Sequence, residues 1–129
     1  ELVPLLDEVG FDAPRTIASK ALAPGVLPRS AFMVVDKVKE KPQVRVELEV
    51  RFLKDFPELG LLPEEDQNLQ AISLFANPRA AKQNCGRNQR VIKVPDTSVF
   101  LRSAPYLLAK GISRLVIDGS LISMDSKMT

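Results

Sequence analysis

The sequence predicts an α+β fold: a mainly antiparallel sheet with two or three short helices in one compact domain. Three observations carry that expectation. Val44, Val46, Leu48, Val50 and Phe52 alternate with Arg45, Glu47, Glu49 and Arg51, the period-2 pattern of a strand with one buried face. Asp118 and Gly119 separate two apolar runs and favour a tight hairpin turn. Leu2, Leu5, Leu6 and Val9 fall at the spacing of one helical face, with Gly10 placed to cap it.

Taken in order, the first helix spans Leu2 to Val9. A second starts after Asp12 as its cap, with Pro14 in the first turn, and ends at Pro24 and Gly25. Ala31 to Val38 reads as a strand rich in β-branched and apolar residues, broken by Lys41 and Pro42. It forms a hairpin with the alternating Val44 to Phe52 strand, which would set Lys37 and Lys39 across from Glu47 and Glu49 on a solvated face. Residues 54 to 68 hold Pro57, Gly60, Pro63 and five acids and read as an acidic connection. Leu69 to Phe75 suits a strand better than a helix.

Asn77 to Arg90 is polar and basic, almost without large apolar residues, and reads as a long loop or hairpin tip. Val91 to Val94 and Thr97 to Leu101 read as short strands interrupted at Pro95 and Asp96. A short helix with Tyr106, Leu107 and Leu108 lies between Ser103 and Gly111. Arg114 to Ile117 and Ser120 to Met124 form the closing hairpin.

A chain of 129 residues with 45% hydrophobic and 26% charged residues has the composition of a globular domain, large enough to fold without disulfides or metal. Cys85 is the single thiol, which favours a reducing compartment. No apolar run approaches the ~20 residues of a membrane span, and Glu1 to Asp12 carry acids where a signal peptide carries bases. The expected location is intracellular, in the cytoplasm.

Several chemistries lack their residues. Without any histidine there is no imidazole base and no usual zinc nitrogen. One cysteine cannot form a Cys-rich metal site. Six scattered glycines assemble neither a Walker loop nor a dinucleotide fingerprint. A non-enzymatic protein with no small-molecule cofactor is expected.

Charge supplies the functional signal. Residues 1–66 carry 9 Lys/Arg and 13 Asp/Glu, whereas residues 67–129 carry 9 and 3, so a net −4 half precedes a net +6 half. No acid lies between Asp66 and Asp96. There Arg79, Lys82, Arg87, Arg90 and Lys93 are interleaved with Asn77, Gln83, Asn84, Asn88 and Gln89. Cations and amides suit phosphate oxygens. With no aromatic residue between Phe75 and Phe100, base stacking is unsupported. The partner expected is RNA or another polyanion. The alternative is a protein-interaction or homo-oligomerisation domain, of the kind found in structural and virion proteins, whose basic loop meets an acidic surface such as residues 55–66 of another copy.

Overall fold

Hydrogen bonding between segments remote in sequence decides the architecture. In the computed structural model, which describes residues 19–40 and 43–125, eight strands form one sheet: β1 (Lys20–Ala21), β2 (Ala31–Glu40), β3 (Gln43–Leu48), β4 (Val50–Phe52), β5 (Gln70–Phe75), β6 (Gln89–Val94), β7 (Ile112–Ile117) and β8 (Ser120–Ser123). Two helices, α1 (Pro78–Gln83) and α2 (Val99–Ala109), complete it. The strand order is β1-β8-β7-β5-β2-β3, with β4 paired to β5 and β6 paired to β2.

The α+β class holds, but the sheet is mixed rather than mainly antiparallel. β1 pairs with β8 and β5 with β7 in parallel, whereas β2 pairs antiparallel with β3, β5 and β6. Parallel neighbours need a long crossover and carry no turn signature. The crossover from β5 to β7 contains α1, β6 and α2.

Leu2 to Val9 lies outside the described residues, as does most of the second expected helix. Its described end is not helical. Lys20 and Ala21 form β1, and the Leu22 amide donates to the Ser123 carbonyl at 2.9 Å. The free edge of β8 outweighs the local helix propensity of Ala and Leu.

Strands β2, β5, β6, β7 and β8 follow the β-branched runs closely. The β7–β8 turn has Asp118 at φ 48° and Gly119 at φ 83°, the two left-handed residues that a type I′ turn requires. Asn77 to Gln83 is not a loop. Asn77 accepts a hydrogen bond from the Ala80 amide at 2.8 Å, Pro78 occupies the first turn, and Ala81 is wholly buried. Small alanines build this helix where a search for large apolar residues finds none.

Thr97 to Leu101 is likewise not a strand. Asp96 accepts from the Ser98 amide at 3.0 Å, and the Thr97 hydroxyl donates to the Pro28 carbonyl. These bonds turn the chain into α2, which runs through Pro105. The Ser98 hydroxyl, then its amide, hold the Asp96 carboxyl below its ordinary pKa.

The sheet buries both faces. On one, Phe100 and Leu107 of α2 pack with Met33, Val35, Ile72, Leu115 and Ile122. On the other, the acidic connection forms three 3-10 turns, Leu53–Asp55, Pro57–Leu59 and Glu64–Asp66. Leu53, Phe56 and Leu59 from this connection pack against Ala71, Val116 and Leu121. No helix among the described residues is long and apolar enough to cross a membrane.

The alternating strand departs from its expected burial. Its backbone is extended as β3 and β4, yet Val44, Val46, Leu48, Val50 and Phe52 are all exposed, Val44 at 61%. β3 pairs with β2 alone, and the core residues of α2 pack against other strands. The pattern specifies the strand, but among the described residues no layer covers its apolar side.

A candidate nucleic-acid interface

The cationic residues sit on two consecutive elements at one margin of the sheet. In α1, Arg79 and Lys82 are three residues apart and share an exposed helical face. Asn84 closes the helix, its side-chain amide donating to the Ala80 carbonyl at 2.9 Å and its backbone amide to that of Ala81.

A tight reversal follows, with the Gln89 amide donating to the Gly86 carbonyl at 3.2 Å and the Gly86 amide to the Gln89 side chain at 2.8 Å. Arg87 occupies this turn, exposed. Gln89 then points its amide nitrogen at Asp36 (2.8 Å) and Glu49 (2.9 Å). A neutral side chain thus satisfies the nearest acids, leaving the arginines unengaged.

β6 divides the remaining two. Arg90 lies beside Val35 of β2 and Lys93 beside Phe32; three residues apart on a strand, they face opposite sides. Ala80 shares a groove with Ser73, Phe75 and Val116, and Phe75 pairs with Phe32, so α1 lies on the Lys93 side. Arg79, Lys82 and Lys93 therefore share one side, Arg90 takes the other, and Arg87 sits in the turn leading into the strand. All five are exposed, and no ion pair among the described residues holds any of them.

The hairpin register adds two cations that the sequence reading treated as neutralised. Lys37 pairs with Val46 and Lys39 with Val44, not with Glu47 and Glu49. Asp36 is the residue opposite Glu47; Gln89 relieves the first acid and Arg45 the second. Lys37 and Lys39 share the sheet side of Val35, and hence of Arg90. The register signal was the two-residue spacing between Glu40 and Gln43, which face each other.

Other cations serve elsewhere. Arg102 donates to the Ser98 hydroxyl at 3.0 Å, Lys110 stands 5.1 Å from the Tyr106 ring, and Arg114 pairs with Asp125 at 2.6 Å. Among the described residues, no three His, Cys, Asp or Glu side chains gather as a metal site.

Fold and surface together define an α+β mixed-sheet domain with an unneutralised cationic margin. Residues 20–124 match the family described as cyanobacterial transposase-derived protein, C-terminal domain, and the chain belongs to that family. The matched segment begins with the first residue of β1 and ends one residue after β8. No curated protein and no solved structure matches the chain.

Proposed function

We propose that this domain is a non-enzymatic binding module that contacts the phosphate backbone of RNA, or of another nucleic-acid strand, through the α1–β6 margin. The observation that carries the reading is that Arg79, Lys82, Arg87, Arg90 and Lys93 are all exposed, with no carboxylate among the described residues paired to them. Cations left in water by their own fold can exchange counterions for phosphates. The amide side chains beside them add neutral donors, and the lack of aromatic residues in the segment favours backbone contact over base stacking.

Anisotropy titrations of the wild type and an R79A/R87A/R90A variant, against single-stranded RNA and duplex DNA over a salt series, test this. Wild-type log affinity should fall against log salt by about 0.7–0.9 per phosphate contact, and the variant should bind more weakly with a shallower slope. Unchanged affinity would overturn the reading. Light scattering on the same two proteins addresses the alternative, self-oligomerisation. It is favoured by the exposed Asp55, Glu58, Glu64 and Glu65, which also lack an ion pair among the described residues. Loss of oligomers in the variant supports that alternative.

A further inference from the structure

Strand β3 ends the strand order on its side of the sheet, and among the described residues it pairs with β2 alone. The Lys37 amide donates to the Asn88 carbonyl at 2.8 Å, toward β6 and away from β3. Lys37 and Val46, which lie opposite each other, are therefore a non-hydrogen-bonded pair. Alternation along an antiparallel ladder makes Lys39 with Val44 and Val35 with Leu48 the same. The backbone amides and carbonyls of Val44, Val46 and Leu48 consequently point outward, at the edge of β3 remote from β2. An exposed edge of this kind is a template for another strand.

The side chains along that edge narrow the partner. Val44, Val46 and Leu48 are exposed on one side of the strand. Arg45 and Glu47, paired with each other, are exposed on the opposite side. A strand that adds here must bring apolar residues to the first side and charges of alternating sign to the second.

β3 itself has that pattern. In an antiparallel pair of two β3 strands related by a two-fold axis at Val46, Val46 meets Val46, Val44 meets Leu48, and Arg45 meets Glu47 twice. The outward amide and carbonyl of Val46 then bond to those of the other copy, as the ladder requires. Six aliphatic side chains form one patch, and two cross-strand ion pairs cover the opposite side. Moving the axis to Arg45 would set Arg45 against Arg45, and moving it to Glu47 would set Glu47 against Glu47. The charge pattern selects one register.

We propose that β3 is a homodimerisation edge, at which two copies of this chain join by antiparallel β3–β3 pairing centred on Val46. The proposal does not rest on nucleic-acid binding and uses none of the five cations of the α1–β6 margin. Val35 stands between Leu48 of β3 and Arg90 of β6, so the joined edge and the cationic strand lie on opposite sides of β2. The pairing also gives the aliphatic residues of β3 a partner, which no described layer of the same chain supplies.

Sedimentation equilibrium on the full chain and two charge variants tests it. The wild type should form a dimer. R45E and E47R each set two like-charge pairs across the axis, and each should weaken dimerisation at least about tenfold. An equimolar mixture of the two variants should form a heterodimer, because opposite charges then meet at both positions. A wild type that stays monomeric up to ~1 mM, the weak end of specific association, would overturn the proposal. So would R45E or E47R dimers as strong as those of the wild type, or a mixture that fails to pair. Dimers that dissolve in R79A/R87A/R90A but not in R45E would place association at the basic margin and overturn the β3 edge.

Discussion

Asp125 shows how one residue closes the last strand. Its carboxylate accepts from Arg114 and from the Ser123 hydroxyl, each at 2.6 Å. Partial burial opposes ionisation, but the Ser123 hydrogen bond and the Arg114 charge outweigh it and hold the carboxyl below its ordinary pKa. Because the folded value lies below the unfolded one, the stabilisation is present above the unfolded pKa and is lost as pH falls through the folded one. The carboxylate side chain is 47% exposed, so solvent screening limits the effect to at most ~1 kcal/mol. Urea unfolding should find D125N less stable than wild type at neutral pH, with the gap closing as pH falls below the ordinary carboxylate range. A constant gap would mean that the ion pair is not its source. Single residues of this kind were partly legible: Asp118–Gly119 declared its turn, because few sequences other than Asn-Gly and Asp-Gly tolerate two left-handed residues. The partnership of Arg114 with Asp125 was not legible, because it depends on β7 and β8 lying side by side.

Helix α1 holds two of the five proposed phosphate contacts, and its stability depends on Asn77. Removing that cap in N77A should cost ~1 kcal/mol, read as a lower urea midpoint, whereas N77D, which keeps the acceptor, should cost far less. An N77A protein as stable as wild type would show that packing of Ala81, not the cap, defines the helix. The elements that the sequence marked well are those whose residues have strong local preferences: β2, β6 and the β7–β8 hairpin, where Val and Ile recur, whereas β5, with a single Ile, suited a helix nearly as well. Helix α1 was read as a loop and the first turn of α2 as a strand, for opposite reasons, whereas the rest of α2 was read as a helix. α1 has only alanines on its buried side, so it lacks the large apolar residues that announce an amphipathic helix. α2 opens with Val99, Phe100 and Leu101, a run that suits a strand equally well, and the hydrogen bonds of Asp96 and Thr97 decide the matter. The candidate site was legible as a charge pattern, since the acid-free stretch of residues 67–95 needs no fold to be seen. Which side each cation takes was not, because Arg90 and Lys93 are separated by strand periodicity and Lys37 and Lys39 by hairpin register.

At the scale of the molecule, the sheet is clamped between α2 and the 3-10 turns, and Leu115 sits at its centre, wholly buried. L115A should lose ~2–5 kcal/mol through lost burial and the cavity left behind, a large share of the ~5–15 kcal/mol total of such a domain. Equilibrium urea unfolding measures it, and a loss below 1 kcal/mol would mean that the surrounding side chains collapse into the space. The mixed topology escaped the sequence because its two parallel pairings, β1 with β8 and β5 with β7, join segments that no local turn connects. The first of these pairings has an architectural outcome. Lys20 and Ile122 are lateral neighbours on adjoining strands, at the margin of the sheet farthest from β6. The pairing therefore ties the beginning and the end of the matched segment to one margin, and the cationic border occupies the opposite one.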